Sequence, residues 1–184
     1  MKNKNYQETL EIPEGMEVKI DKYIVNIKGP KGEVKKELKN KQVIVETKDN
    51  KIIIKTPLMT KREKKIIYTF KAHLKNMIKG VQEKFVYKLK ICSGHFPMNV
   101  SINNKQIMVK NFLGEKVPRV LKIKEGAEVK MDGDMITIKS CSKEIAGQIA
   151  ADLEILTSIK NRDNRIYQDG IYIINKAGKS MDQN

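Results

Sequence analysis

Short runs in which apolar and polar residues alternate recur along the chain and predict β-strands. In the first half, the apolar positions of this pattern are Val18, Ile20, Tyr23, Val25 and Ile27. A period of two puts these side chains on one face of a half-buried strand. Two more strands are predicted at residues 43–46 and 52–55, with Asp49-Asn50 as the hairpin turn between them.

Apolar residues at spacings of three and four predict one helix in each half of the chain. The first helix would begin with a capping box from Thr60 to Glu63 and end at Gly80. Its apolar face would consist of Ile66, Phe70, Leu74, Met77 and Val81. Ser142 can cap the second helix, whose apolar face would consist of Ile145, Ile149, Leu153 and Leu156.

The two halves resemble each other, which indicates a duplication. A shift of 82 positions places residues 18–33 on residues 100–115 without a gap, and five of the sixteen pairs are identical. A shift of 84 relates the later strands of the two halves in the same way. The alignment pairs Gly32, in the turn Gly29-Pro30-Lys31-Gly32, with Gly114, and therefore predicts equivalent turns.

A strand meander followed by a helix, present twice, predicts an α+β fold of two tandem, similar small domains. Each domain would be an antiparallel sheet with one helix packed on one face. A strand is predicted from Phe85, so we place the N-terminal domain at residues 1–82 and the C-terminal domain at residues 83–174. Residues 175–184 are predicted to be a polar tail.

The charge of the chain indicates a polyanionic partner. Lysine and arginine number 37 against 22 acidic residues, which gives a net charge of +15 and a pI near 9.7. No apolar run approaches the roughly 20 residues that a membrane helix needs, and the first eleven residues lack an apolar signal segment. We therefore expect a cytosolic protein without a membrane partner, in which Cys92 and Cys141 are isolated thiols.

The sequence shows no arrangement of residues that would carry catalysis. His73 and His95 are too far apart for a two-histidine metal motif, and no third group accompanies Cys92 and His95. The stretch from Gly29 to Gly32 lacks the spacing of a phosphate-binding P-loop. We expect no enzymatic activity, cofactor, metal or small-molecule substrate.

Basic residues favour a binding surface, for which each half offers a candidate. Residues 1–82 hold 20 basic and 10 acidic residues (+10), and the remainder holds 17 and 12 (+5). One side of the first helix carries Lys64, Lys71, Lys75 and Lys79, which form either a solvated face or a binding face. In the second half, the basic residues fall in predicted loops, where they can approach a phosphate backbone closely. The candidate RNA-binding residues there are Lys110, Asn111, Gly114, Lys116, Arg119, Lys160, Asn161, Arg162 and Arg165.

Four blocks of sequence resemble one known family. These blocks are Asn76-Met77-Ile78-Lys79-Gly80-Val81, His95-Phe96-Pro97-Met98-Asn99-Val100, Asn111-Phe112-Leu113-Gly114-Glu115-Lys116 and Asp169-Gly170-Ile171-Tyr172. In this order they are similar to the universal large-subunit ribosomal protein six family, in its archaeal–eukaryotic branch, where the eukaryotic member is called protein nine. The resemblance covers residues 12–174. The stretch before the first helix, residues 56–60, is shorter than in eukaryotic members. Residues 160–165 keep the basic character of the branch but not its exact residues.

The resemblance implies a structural constituent of the cytosolic large ribosomal subunit, assembled in the nucleus if the source is eukaryotic. It also implies contacts with large-subunit rRNA near the sarcin–ricin loop and the stalk base, and with neighbouring ribosomal proteins. The C-terminal domain would be the main rRNA-binding unit, which favours the loop residues over the first helix. The alternative is a free-standing RNA-binding or ribosome-assembly factor with the same fold.

Overall fold

A computed structural model describes residues 6–48, 50–103 and 105–180. The chain forms two compact units that divide between Lys84 and Phe85, two residues after the predicted boundary. Both units combine antiparallel sheets with one long helix. The prediction of an α+β fold with two tandem, similar domains is confirmed.

The first unit contains two three-stranded antiparallel sheets, with strand orders β1-β6-β5 and β2-β3-β4. Its elements are β1 (Tyr6–Glu11), β2 (Glu17–Asp21), β3 (Ile24–Gly29), β4 (Gly32–Glu37), β5 (Ile44–Lys48), β6 (Lys51–Thr56) and α1 (Lys61–Gln82). The helix packs against strands of both sheets, chiefly β3 and β6. Ile67, Leu74 and Val81 of α1 meet Ile27 and Ile54 of the sheets in a fully buried core.

The unit therefore has two sheets where the sequence predicted one. After β4 the chain turns at Asn40, whose side-chain oxygen accepts hydrogen bonds from the N–H groups of Gln42 (2.8 Å) and Val43 (3.1 Å). This local turn carries the chain away from β4 before β5 begins. Because Leu38 and Val43 are buried on either side of the turn, the change of sheet belongs to the core of the unit.

The second unit also has two sheets, with strand orders β10-β9-β8 and β11-β12-β7-β13-β14. Its elements are β7 (Phe85–Cys92), β8 (Asn99–Asn103), β9 (Gln106–Lys110), a 3₁₀ turn (Phe112–Gly114), β10 (Arg119–Lys122), β11 (Ala127–Asp132), β12 (Met135–Ser140), α2 (Lys143–Leu156), β13 (Gly170–Lys176) and β14 (Lys179–Ser180). The core is built from Leu89, Ile107, Ile136, Ile149 and Leu153, all essentially inaccessible to solvent.

Strand registers confirm the duplication that the sequence predicted. The shift of 82 places β2 on β8, and the pair Glu17–Lys28 becomes the pair Asn99–Lys110. The shift of 84 places β6 on β12 over their whole lengths. The strands of the first unit thus recur in the second with the same pairing, and the second unit adds β13 and β14 beside β7.

The prediction that Gly32 and Gly114 occupy equivalent turns is wrong. Gly32 closes a tight hairpin, in which it pairs directly with Gly29. Gly114 lies in a longer connection, residues 111–118, between β9 and β10. Both glycines follow the middle strand of a three-stranded sheet, but the second unit has a larger loop, so the alignment holds only as far as Lys110. Of the hairpin turn predicted at Asp49-Asn50, Asp49 lies outside the described residues, and Asn50 has the positive φ of a tight turn (60°).

The predicted polar tail begins too early. Residues 170–176 form β13, which pairs with β7, and Lys179–Ser180 returns as β14. Ile171 is fully buried against α2 and its N–H donates to the buried Thr157 hydroxyl (2.9 Å). Strand pairing outweighs the polar composition of residues 175–180, so only residues 181–184 of the predicted tail fall outside the described structure.

The helix ends differ in part from their predicted positions. Thr60 caps α1, accepting from Arg62 N–H (3.2 Å) and donating to Glu63. The helix continues past Gly80 to Gln82, because the Val81 carbonyl is occupied by the N–H of Lys31 (3.1 Å) from the β3–β4 hairpin. Ile67 rather than Ile66 begins the buried face. In α2, Ser142 accepts from Ile145 N–H (3.4 Å) as predicted.

We expect Gly29→Ala to destabilise the protein by about 1–3 kcal/mol. Gly29 lies where the hairpin meets the end of α1, and a Cβ atom there would fall well inside van der Waals contact with Cγ1 of the buried Val81. Denaturant unfolding measures the effect. In a Val81→Ala background the obstructing methyl group is absent, so Gly29→Ala should cost much less. An equal cost in both backgrounds would contradict this explanation.

Candidate nucleic-acid interface

The connection between β9 and β10 presents the first group of predicted residues. Three of its residues have left-handed backbones, namely Asn111 (φ 59°), Leu113 (φ 49°) and Gly114 (φ 79°). The buried Phe112 ring anchors the connection, and the Asn111 amide donates to the Pro97 carbonyl (3.0 Å). The amide of Asn111 therefore helps to fix the loop, whereas Lys110 and Lys116 on either side are exposed.

Arg119 ties this loop to the end of α2. Its guanidinium donates twice to Glu115, at 2.8 and 2.6 Å, and once to the backbone carbonyl of Leu156. The guanidinium also lies 4.3 Å from the centre of the Phe112 ring. Hydrogen bonding to Arg119 lowers the pKa of Glu115, and the nearby charge of Arg162 lowers it further. The Arg119 guanidinium is thus occupied by contacts within the chain. It links this loop to the end of α2, and the second group of predicted residues follows that helix.

The segment between α2 and β13 holds the second group. The Asp163 carbonyl accepts from the N–H groups of Ile166 (3.1 Å) and Tyr167 (3.0 Å), which closes a turn. The Asp163 carboxylate is paired with the exposed Arg165 guanidinium (2.9 Å). Lys160, Asn161 and Arg162 are exposed, and Asn161 has a left-handed backbone (φ 59°).

A third segment, residues 94–98, is held against this surface by a buried carboxylate. Asp169 is fully buried and accepts from the backbone N–H groups of Gly94, His95 (3.1 Å) and Phe96 (3.3 Å). Burial raises the pKa of this carboxyl, but the three backbone donors outweigh that effect and leave the pKa below the ordinary value. Asp169 therefore fixes the loop as a charged acceptor.

Rings connect the second and third segments. The His95 and Tyr167 rings have centroids 4.9 Å apart, and the Arg162 guanidinium lies 4.9 Å from the Tyr167 ring centre. This arrangement places Arg162 over the Tyr167 ring, where a guanidinium remains available to phosphate. The three segments together form one continuous set of contacts in the second unit, which we call the loop surface: residues 94–98, 110–119 and 157–169.

The predicted residues divide into three roles on this surface. Lys110, Lys116 and Lys160 are exposed and form no salt bridge with any residue that the structure describes. Arg119 and Asn111 shape the loop. Arg162, Arg165 and Asn161 are exposed, the first two alongside Tyr167 and Asp163. Binding of RNA by these residues stays a prediction.

Sequence reasoning from residue types missed three members of the loop surface. Asp169 looked like one more scattered carboxylate, His95 appeared in two rejected pairings, with His73 and with Cys92, and Tyr167 was not considered. The one signal was the family resemblance, since two of its four blocks contain His95 and Asp169. Their 74-residue separation in the chain conceals that the His95 backbone donates to the Asp169 carboxylate.

The alternative surface on α1 is partly neutralised. Lys71, one of its four lysines, is only 24% exposed and pairs with Glu8 of β1. That hydrogen bond is the largest of the effects that lower the pKa of Glu8. Lys64, Lys75 and Lys79 remain exposed. The excess of charge in the first unit therefore overstates the cationic surface that α1 offers.

Within the described ranges, no group of three or more histidine, cysteine, aspartate or glutamate residues is arranged to hold a metal. Neither Cys92 nor Cys141 is in a disulfide. No helix among these residues has the length and apolarity to cross a membrane.

We expect Gly114→Val to destabilise the protein by about 1–3 kcal/mol and to weaken incorporation into the large ribosomal subunit. The left-handed backbone disfavours a β-branched residue, and a Cβ atom would lie 3.4 Å from the Phe96 ring. Gly114→Asn is the matched control, since asparagine tolerates this conformation better. Equal incorporation of the Val and Asn variants would show that the turn does not need this conformation.

Comparison with known proteins agrees with the geometry. The chain matches the family described as Ribosomal protein L6 twice, over residues 12–84 and 96–170. It is 44% identical over 170 residues to the large ribosomal subunit protein uL6 of Methanobrevibacter smithii, an alignment that covers 92% of this chain and 96% of the relative. It is 39% identical over 175 residues to uL6 of Methanococcus vannielii, with coverage of 95% and 96%. The chain therefore belongs to the ribosomal protein L6 family, whose members are structural, non-enzymatic proteins of the large ribosomal subunit, and to its archaeal–eukaryotic branch.

Proposed function

We propose that the second unit binds large-subunit rRNA through the loop surface. The observation that carries this proposal is the joint made by Arg119, which fixes the 110–119 loop to the end of α2 and leaves Lys110, Lys116 and Lys160 exposed around it. Flexible lysine ammonium groups on a rigid framework suit contact with phosphate oxygens.

The residues of the loop surface would act in different ways. Lys110, Lys116 and Lys160 would neutralise phosphates directly, and Arg162 would add a planar guanidinium held over Tyr167. Arg119, Asn111 and Gly114 would position the loop rather than touch RNA. Asn161 and Arg165 lie on the same exposed segment and would contact the sugar–phosphate backbone beside it.

The position on the subunit is also part of the proposal. By the family resemblance, the protein would lie near the sarcin–ricin loop and the stalk base, beside neighbouring ribosomal proteins in the cytoplasmic ribosome. Assembly in the nucleus would apply only to a eukaryotic source. Support comes from the second unit, which contains three of the four sequence blocks that carry the resemblance.

The alternative is a free-standing RNA-binding or assembly factor, and sedimentation separates the two. A tagged full-length chain should remain with mature large subunits after a high-salt wash, in the same proportion as other constituent proteins. Release by the wash, or presence only in precursor particles, would favour an assembly factor.

A further inference from the structure

A groove beside the His95 ring has largely apolar and aromatic walls, and phosphate contacts alone would not need such walls. It is an open depression of about 480 Å³, formed by residues 92–95 and by residues of the 166–172 stretch. The His95 and Tyr172 rings both line it, together with the exposed Ile166. A depression of this volume with aromatic and aliphatic walls can hold a small flat ring system.

The Tyr172 ring is fixed in its place on the groove wall. Its hydroxyl donates to the Gln168 carbonyl (3.1 Å), and the ring lies close over Gly170, where a Cβ atom would be only 3.1 Å from Cζ. Glycine at this position therefore allows the ring to approach the backbone. Burial raises the pKa of Tyr172, so the ring carries a neutral hydroxyl at physiological pH.

The His95 ring is fixed by different means. Asp169 holds the backbone of His95, and Tyr167 packs against the His95 ring at 4.9 Å. The side chain of His95 is nevertheless 42% exposed, so part of the ring faces solvent. Asp169 also lines the groove as a charged group, but its carboxylate is fully buried and hydrogen-bonded to three backbone N–H groups.

We propose that this groove receives one unstacked nucleobase of the bound rRNA, placed against the His95 and Tyr172 rings. The inference rests on the proposed function and deepens it. Sequence-specific RNA recognition commonly uses bases that leave the helix and stack on tyrosine or histidine. Arg162, which lies over the Tyr167 ring that touches His95, is the cation placed to hold the phosphate of such a nucleotide. The loop surface would then read RNA through one base as well as through the backbone.

Two substitutions test the groove in the full-length chain, with a transcript that contains the sarcin–ricin region as the probe. Tyr172→Leu and His95→Leu should each weaken affinity by about tenfold, the range expected for loss of one base–aromatic contact. The dependence of affinity on salt should not change, since neither variant removes a phosphate contact. Tyr23→Leu is the matched control, because Tyr23 is as exposed as Tyr172 (44% and 41%) but lies in the first unit.

Ultraviolet crosslinking supplies a second measurement that does not depend on a variant. In the wild-type complex, mass spectrometry should place a nucleotide adduct on Cys92, His95 or Tyr172. If Tyr172→Leu fails to fold, His95→Leu decides the question. The hydrogen bonds that Asp169 accepts from residues 94–96 come from backbone N–H groups, and the His95 ring adds only its Nδ1 atom, 3.8 Å from the carboxylate.

The outcomes separate the two proposals. Binding with normal salt dependence, unaffected by either Leu variant and with all crosslinks outside the groove, would overturn the base-binding groove alone. A wild-type chain that does not bind the transcript would overturn the proposed function, and this inference with it. Weakened binding by both Leu variants, with an unchanged Tyr23→Leu control and a groove adduct, would establish the site.

Discussion

Asp169→Ala is expected to lower the free energy of unfolding of the second unit by about 2–4 kcal/mol. The fully buried carboxylate accepts from three successive backbone N–H groups, so its removal leaves the 94–96 loop without its anchor. Hydrogen bonds to a charged acceptor are stronger than those between neutral groups. Denaturant unfolding of the full-length chain measures the loss, and weaker RNA binding should accompany it.

Asp163→Ala is the matched control for this prediction. Asp163 lies six residues earlier on the same surface, but its carboxylate is exposed and, among the described residues, accepts only from the guanidinium and the backbone N–H of the neighbouring Arg165. Exposed ion pairs contribute little to stability, so the control should unfold almost as the wild type does. Equal losses in the two variants would mean that Asp169 does not anchor the loop.

The contribution of Asp169 should depend on pH in a defined direction. Its pKa in the folded protein lies below the ordinary aspartate value of 3.8. A carboxyl group whose pKa is lower in the folded state stabilises the fold, and this contribution is complete well above pH 3.8. The contribution is lost as the pH falls through the pKa of the folded state. The difference in stability between wild type and Asp169→Ala should therefore be constant near neutrality and shrink below about pH 4. A difference that grew on acidification would contradict the charged-acceptor account.

The second large effect concerns RNA affinity. The triple variant Lys110→Ala, Lys116→Ala, Lys160→Ala should bind the sarcin–ricin transcript about 500-fold more weakly at 0.1 M salt. Each phosphate contact contributes about 0.9 to the slope of log affinity against log salt, so three contacts contribute about 2.7. Affinities of the wild type and the variant should then converge near 1 M salt. The three side chains are exposed and make no salt bridge with described residues, so stability should not change.

The matched control removes the same charge from the first unit. Lys39, Lys75 and Lys79 are also exposed, and their replacement by alanine lowers the net charge equally. If only the second unit binds RNA, this control should leave the slope nearly unchanged. A flatter slope in the control, with an unchanged slope in the loop variant, would assign RNA binding to the first unit.

Local patterns predicted several strands and both helices, because alternation and a repeated sequence report directly on the burial of neighbouring residues. The single strand predicted from Val18 to Ile27 is instead the antiparallel hairpin of β2 and β3, and β1 and β4 were not predicted. Under the shift of 82, the strand pair Glu17–Lys28 corresponds to the strand pair Asn99–Lys110. The same alignment failed at Gly114, since a loop can lengthen without changing the strands that it joins. The start of the tail was misplaced because Asn175 and Lys176 pair with Lys88 and Tyr87 of β7, a long-range contact that no local pattern records.

The candidate site was only partly accessible to sequence reasoning. Exposed lysines in loops can be recognised by composition, and Lys110, Lys116 and Lys160 are exposed as expected. In the sequence, Arg119 cannot be distinguished from a phosphate-binding arginine. In the structure, its guanidinium is hydrogen-bonded to Glu115 and to the end of α2. Such long-range contacts distinguish a positioning residue from a binding residue, and they appear only when the chain is folded.

A cryo-electron microscopy map of the large subunit from the source organism tests the central claim most directly. The account predicts that the loop surface faces rRNA, with the ammonium groups of Lys110, Lys116 and Lys160 within about 4 Å of phosphate oxygens. A map in which these three side chains face solvent or protein, while the lysines of α1 contact the rRNA, would contradict it.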